Sequence, residues 1–448
     1  MWFCVVNLCM KDTRTDNRIM KIPTFLQTLS AAILLPIATS GLSLAQQNRT
    51  RPSFFLPPGP SDFATDIGEG PGEAGEGMNP IGIFAASPFK YVFSVREGYD
   101  DNLFTTRTNQ SKSFYTNWAA GVDYEFGSPR LQLNANLGGG VTYYYTRPGD
   151  KIDFNGQFAV SAVYLATPRL TLSLNATVAY LAQPDTSLIG TSNRVNGDYI
   201  YTNSSIDAAY QWTEKFSTVT GYSAYANYYL QQELNDTQSY WSSTVKQSFR
   251  WLLLPKTTII AEYRANPIVY TGGAGMNSFG NFALLGFDQM FNPRFKWTAR
   301  LGVEQRFNQN PVDGNSTYFG PYGESNLSYQ FAPASTLAWT ARYGTEPSGL
   351  SNVTQRQTFR TGIAVNHAFT SRISGNVGFN FEVDYYDQSG VVDPFYETTF
   401  DLGVGLNYRI NRTVSVSLGY QYVQVMAPEN IAFEYTRNIA FAGINLNF

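Results

Sequence analysis

The sequence has almost none of the side chains that carry thiol or imidazole chemistry: two Cys and one His in 448 residues. Both cysteines, Cys4 and Cys9, stand at the extreme N-terminus, so the rest of the chain offers no disulfide, no thiolate nucleophile and no Cys-rich metal site. Charge is scarce as well. Asp, Glu, Lys and Arg make up 15% of the residues and the formal net charge is -3, against about a quarter charged in soluble domains. Such a balance lacks the basic footprint of a nucleic-acid binder. From residue 46 onward no uncharged apolar run reaches membrane length, and the mean hydropathy is -0.23. A bundle of membrane helices, needing about 20 apolar residues per span, is thereby excluded. Aromatic residues abound instead, with 30 Tyr and 32 Phe in a 15% aromatic share. That share excludes a disordered chain and points to aromatic-rich, low-charge β structure.

The composition divides the chain into three zones. Residues 1–45 read as an N-terminal extension and a cleavable signal peptide. From Met20, Lys21 supplies the positive start, Phe25 to Ala38 the apolar stretch, and Ser43-Leu44-Ala45 a small-x-small cleavage site. Met20 reads as the natural start, with Met1 the alternative. No cysteine follows the apolar stretch, which argues against a lipoprotein. Residues 46–88, with PSFFLPPGPSDF and GEGPGEAGEG, are too rich in Pro, Gly and acids to offset their ordering entropy, and read as a disordered periplasmic leader. Residues 89–448 form the folded part.

From Lys90 the hydropathy period is two. Leu170, Leu172, Leu174, Ala176, Val178 and Tyr180 alternate with Thr171, Ser173, Asn175, Thr177 and Ala179. Phe400, Leu402, Val404, Leu406 and Tyr408 alternate in the same way with Asp401, Gly403, Gly405, Asn407 and Arg409. Such runs are longer than the usual soluble strand of about five or six residues and match the ~10 residues of a tilted membrane-spanning strand. Short connections recur at GSPR (127–130), ATPR (166–169), TEK (213–215), LPK (254–256), NPR (292–294), APAS (332–335), TSR (370–372) and INR (410–412). Long polar connections lie between them, so that short and long take turns. Eight short turns plus nine long loops make seventeen connections, hence eighteen strands, with sixteen the alternative. The fold expected is all-β: a transmembrane up-and-down antiparallel barrel with short periplasmic turns and longer extracellular loops. Nothing beyond the signal segment reads as helical.

Two segments carry resemblances. The last strand, NIAFAGINLNF, resembles the C-terminal signal read by the outer-membrane barrel-assembly machinery, with Gly443, Leu446 and Phe448 at the family's glycine and last two apolar positions. Phe441 departs from that signal, which usually has a polar residue there. Val95–Thr106, VREGYDDNLFTT, closes the first strand with an aromatic-Asp-Asp-Asn-hydrophobic-Phe pattern. It resembles the beta-barrel porin families of Gram-negative outer membranes, whose members often occur in exopolysaccharide gene clusters. The resemblance implies a Gram-negative outer-membrane location, lipid and the assembly machinery as partners, and small solutes or a polysaccharide as cargo. Oligomerisation is an open possibility. Read from the residues alone, Asp100, Asp101 and Asn102 start a turn by bonding nearby backbone; two carboxylates fall short of the six to eight oxygens Ca²⁺ takes.

Catalysis finds little support. His367 is the sole imidazole, and its parity with Phe359, Ile363, Val365 and Phe369 places it on the lipid side near a turn. No cofactor, metal or nucleic-acid partner is expected. The inward parity is more informative. Lys246, Arg250, Arg264 and Lys296 stand opposite apolar outward neighbours, as do Arg300, Arg306, Arg342 and Arg360; together they read as a basic wall of the lumen. Asp123, Glu125, Glu382, Asp384 and Asp401 read as an acidic wall facing it, while Glu262, Glu304 and Glu324 intrude on the basic one. A barrel of this size keeps an aqueous lumen, and lumen charge sets ion selectivity. The function expected is a porin-like channel for passive diffusion of small hydrophilic, anionic solutes. Cross-strand salt bridges that merely line the interior are compatible with it. The alternative is a closed or accessory barrel for exopolysaccharide export or surface attachment. Phe126, Trp212, Trp251, Phe295, Trp297 and Phe331 are expected in the periplasmic aromatic girdle, and Tyr143, Tyr145, Tyr229 and Tyr385 in the outer one. N-terminal sequencing of the protein isolated from its native membrane is expected to begin at Gln46; a chain that retains residues before Ala45 would contradict the processing.

Overall fold

The computed structural model describes residues 88–182, 197–272, 277–309, 317–347, 355–386, 394–427 and 434–448. The expected signal peptide (1–45), the expected leader (46–88, Pro88 excepted) and parts of six long connections lie outside the described residues. From Phe89 the backbone runs as β1 (Phe89–Asp100), β2 (Ser113–Gly127), β3 (Leu131–Tyr144), β4 (Ile152–Thr167), β5 (Leu170–Leu181) and β6 (Tyr199–Gln211). β7 (Phe216–Tyr229), β8 (Tyr240–Leu254), β9 (Thr257–Tyr270), β10 (Ser278–Asn292), β11 (Phe295–Asn308) and β12 (Thr317–Ala332) follow. The wall is completed by β13 (Ser335–Pro347), β14 (Gln355–Ala368), β15 (Ile373–Tyr386), β16 (Phe395–Arg409), β17 (Val414–Met426) and β18 (Tyr435–Asn447). Each strand pairs antiparallel with the next, and β18 returns to pair with β1, so the sheet is a closed barrel of eighteen strands.

Side chains sort by parity as the alternation dictates. Along β11, Leu301 is 68% exposed on the outer face whereas Glu304 and Arg306 on the inner face are 0% and 3% exposed. Leu285, Phe319 and Phe114 are similarly exposed on the outside. A surface so apolar is stable only in hydrocarbon.

The periplasmic turns owe their shape to short polar side chains that bond the backbone two or three residues ahead. Asn292 Oδ1 accepts the Arg294 N–H at 2.9 Å, Thr370 Oγ1 the Ile373 N–H at 2.9 Å, and Asn411 Oδ1 both the Thr413 and Val414 N–H at 2.8 Å. Four of the turns are entered through a register shift, at Leu165/Thr167, Leu252/Leu254, Met290/Asn292 and Gln330/Ala332. Outside them lies the aromatic girdle: Phe126, Trp212, Trp251 and Phe331 are exposed, Phe291 stacks on Phe295 with centroids 4.7 Å apart, and Trp297 meets Phe287 edge-on at 4.8 Å. His367 belongs to this belt, between Phe331 and Phe369, with Nδ1 2.8 Å from Ser335 Oγ.

At the extracellular end the structure departs from the sequence reading in two places. The β7–β8 connection contains a helix, α1 (Gln232–Gln238), only seven residues long and so too short to show a periodicity. Leu234 of α1 packs on an inward cluster of Tyr199, Tyr201 and Tyr229. Tyr229 therefore leaves the expected outer belt: it is 1% exposed and lies against Tyr199, with centroids 5.6 Å apart. The outer belt holds Tyr143 with Tyr145, and Tyr385 with Tyr396.

The β1–β18 seam explains the Asp-Asp-Asn segment. Asn102 does form the local turn, donating its N–H to Asp100 Oδ1 and accepting that of Thr106, both at 3.0 Å. All three residues also reach across the seam. Arg437 of β18 donates three bonds to the Asp100 carboxylate (2.5–3.2 Å), Asp101 accepts from the Asn438 backbone and side chain, and Asn102 Nδ2 donates to Thr436 O at 2.8 Å. At the other end Phe448 exchanges backbone bonds with Tyr91 at 2.9 and 3.0 Å. Asp100 and Arg437 are both almost fully buried, so Arg437→Met strands an uncompensated charge and is expected to cost about 3–5 kcal/mol in urea unfolding from lipid vesicles. The double variant Asp100→Asn/Arg437→Met should recover much of that loss; additive losses would show that the two side chains do not form a unit.

Candidate functional site

Pairing of successive strands brings the inward charges of β6 to β16 into one stripe. Arg264 donates to Glu324 through both terminal nitrogens (3.0 and 2.6 Å) and through Nε to Glu262 (2.6 Å). Tyr322 lies between Arg264 and Arg342, whose guanidinium carbons stand 5.7 and 5.8 Å from its ring centre. Arg306 donates to Glu304 at 2.8 Å, while the other Glu304 oxygen accepts the Thr345 N–H at 3.1 Å. Arg360 reaches Glu382 at 2.5 Å and Glu346 at 3.2 Å. Arg356, two inward positions above on β14, reaches Asp384 at 2.7 Å and shares Glu346. Arg250 and Arg300 converge on Asp288, and Lys246 meets Asp207 at 2.9 Å. Lys296 stands on the same face of β11, nearer the periplasmic turn.

The expected acids have the same character. Glu382 and Asp384 lie on β15, directly beside the arginines of β14, so that opposite charges interleave across neighbouring strands rather than standing as two separate walls. Glu125 pairs with Lys90 at 3.3 Å, Asp123 accepts from Asn136, and Asp401 accepts from Gln421 at 2.9 Å. Charge-assisted bonds of this density offset the desolvation of each ion. Arg342, with 34% of its side chain exposed, is the most accessible arginine of the ladder.

Sequence reasoning missed Asp207, Asp288, Glu346 and Arg356. Glu346 and Arg356 fell inside what reads as a long connection (344–357), yet Arg356 shares parity with Arg360. A second omission is the tyrosine tier at the extracellular end, where Tyr115 faces Tyr144, Tyr199 faces Tyr229 and Tyr240 faces Tyr270 inside the barrel. The residues of the assembly-signal resemblance sit in or just past β18. Gly443 leaves room for the Arg96 side chain of β1, since a Cβ there would lie 2.6 Å from Arg96 Cγ. Leu446 stands opposite Phe93, and the Phe448 ring is 6.1 Å from that of Phe93.

Arg356→Met would take from Glu346, Glu382 and Asp384 the cation that all three share, leaving Arg360 to serve the two glutamates. Equilibrium unfolding of the refolded variant is expected to show a loss of about 3–5 kcal/mol, whereas a loss below about 1 kcal/mol would mean that the ladder adds nothing to cohesion.

The fold and this geometry can be set beside known proteins. No curated protein matches the sequence. Among solved structures, OccAB4 of Acinetobacter baumannii aligns at 9% identity over 81% of this chain and 99% of its own, with a TM-score of 0.40. OccK2 (OpdF) of Pseudomonas aeruginosa in complex with glucuronate aligns at 8% identity over 80% and 98%, with a TM-score of 0.43. A BenF-like porin from Pseudomonas fluorescens Pf-5 aligns at 9% over 80% and 99%, with a TM-score of 0.44. Residues 302–448, from within β11 through β18, match the model of the family described as "Putative beta-barrel porin 2", in keeping with the resemblance carried by the first strand.

Proposed function

We propose that the chain is a porin-like channel of the Gram-negative outer membrane, passing small hydrophilic solutes by passive diffusion and favouring anionic ones. The observation that carries this reading is the charged stripe on the inner face of a closed eighteen-strand barrel whose outer face is apolar. A sheet of that size encloses more volume than its side chains fill. Arginines held in place by carboxylates present fixed donors to solutes in transit, and Arg342, the most exposed of them, together with Arg300 of the same stripe sets the sign of selectivity. The signal segment would export the chain, the Gly443–Phe448 region would engage the assembly machinery, and lipid would surround the girdles. No catalytic step is assigned to it; the lone histidine faces lipid and is held by Ser335.

The test is single-channel recording from the refolded mature chain (residues 46–448) in a planar bilayer under a salt gradient. Discrete steps with an anion-favouring reversal potential are expected, and Arg300→Glu/Arg342→Glu should shift that potential towards cations. An unchanged potential would remove those arginines from the selectivity mechanism. Silent insertion of a barrel whose folding is verified by heat-dependent gel mobility would contradict an open channel and favour the closed, accessory barrel.

A further inference from the structure

The outer face of the barrel is not evenly filled. Over β9 to β11 the side chains of Ile259, Leu285, Phe287, Trp297 and Leu301 stand around Ala299 and bound a groove of about 600 Å³. Ala299 makes the floor because it is small. It is 9% exposed, whereas the paired Leu285 and Leu301, one outward position further up, are each 68% exposed. The Trp297 indole is fixed as one wall: its Nε1 donates to Ser325 Oγ at 2.8 Å and its ring meets Phe287 edge-on.

At its periplasmic end the groove is bounded by Leu253 and Phe291. These are the residues skipped by the register shifts of β8 and β10, and both bulges leave them standing out from the wall. Lys256 of the β8–β9 turn reaches over this mouth, donating from Nζ to Phe291 O at 3.2 Å. An ammonium has three donors, so two remain for another acceptor. Arg294 lies exposed in the neighbouring β10–β11 turn. Just inside the mouth the Thr257 hydroxyl donates to Gln289 Oε1 at 2.6 Å, which leaves the Gln289 amide nitrogen as a donor in the groove.

An apolar trough with cations at one end and an amide donor at the junction has the polarity of an anionic amphiphile. Its length agrees. From Phe295, the first residue of β11, to Leu301 the strand advances roughly 20 Å. A tilt of ~45° converts this to about 14 Å of depth, one leaflet of a hydrocarbon core ~30 Å thick. A second copy of the chain is the poorer occupant. Seven of the eight periplasmic turns carry Lys or Arg and one carries an acid, Glu214, so copies side by side would bring like charge to the mouth.

We propose that this groove binds an anionic phospholipid of the periplasmic leaflet. One acyl chain lies over Ala299, the phosphate meets Lys256 and Arg294, and an ester carbonyl accepts from the Gln289 amide. The site goes beyond solute passage and rests only on the membrane placement of the outer face. Its test reads bound lipid on a folded barrel, so it can fail while the channel reading stands.

Native mass spectrometry of the refolded mature chain (residues 46–448) in detergent would offer phosphatidylglycerol, with phosphatidylcholine of the same acyl chains as the counterpart without net charge. One phosphatidylglycerol per barrel is expected to stay bound, and phosphatidylcholine to be retained at least about fivefold less. Lys256→Gln, a change in an exposed turn, should weaken phosphatidylglycerol retention about fivefold. Arg130→Gln in the distant β2–β3 turn should leave it unchanged. Ala299→Phe, which fills the floor, should abolish the adduct; Lys256→Gln carries the test if Ala299→Phe does not fold. Equal retention of both lipids, equal losses in Lys256→Gln and Arg130→Gln, or an adduct that survives in folded Ala299→Phe would overturn the proposal. Wild-type dimers that part in Ala299→Phe would give the groove to a second copy and overturn it as well.

Discussion

The rest of the structure depends on the backbone pairing of β1 with β18. In hydrocarbon an N–H or C=O without a partner costs several kcal/mol, so a sheet that crosses a bilayer can have no free edge. The seam is where pairing must join residues more than three hundred positions apart, and side-chain bonds reinforce it. Asp100 and Arg437 hold its extracellular end, Tyr91 and Phe448 its periplasmic end, and Arg96 lies over Gly443 and Phe441 between them. The sequence segments with recognisable patterns, at Val95–Thr106 and at the C-terminus, are the two sides of this one junction.

Closure at eighteen strands has a consequence for the interior. A smaller barrel fills with apolar side chains, but here the inner face looks onto a lumen and its polar groups must satisfy one another. On β8 to β16 they do so through alternating guanidinium and carboxylate groups, and on β6 to β9 the extracellular tier is built from tyrosines under α1. The ladder is therefore cohesive and electrostatic at once. Each arginine is held by the acid that partly neutralises it, so selectivity rests on the accessible members such as Arg342 rather than on a net positive wall.

Strand alternation made the architecture legible. Period-two patterns over more than ten residues and alternating short and long connections sufficed to count the strands and to name all eight periplasmic turns, because in a barrel each residue's face follows from parity alone. Parity also placed His367 in the girdle and Arg300, Arg306 and Arg360 on the inner face. What parity cannot supply is which neighbour a charge meets. That depends on the stagger of adjacent strands, which set Arg360 against Glu382 of the next strand and brought Arg437 to Asp100. Tyr229 shares the inward parity of Gly221 and Asn227, but small, polar and aromatic residues stand on both faces of β7 and hide the alternation, and α1 is held by tertiary contact of Leu234 rather than by a periodic pattern.

The most direct test of the account is a cross-link over the seam. Residues 46–448 contain no cysteine, and Val95 and Ile444 are outward-facing direct partners of β1 and β18. In the Val95→Cys/Ile444→Cys variant, oxidation in native membranes is expected to join the two strands nearly completely, while Val95→Cys/Leu418→Cys, with the second thiol one strand further round, is expected to stay unlinked. Failure of the first pair to link in a folded, membrane-inserted barrel, or efficient linking of the second, would contradict the closed eighteen-strand register on which the ladder and the lumen depend.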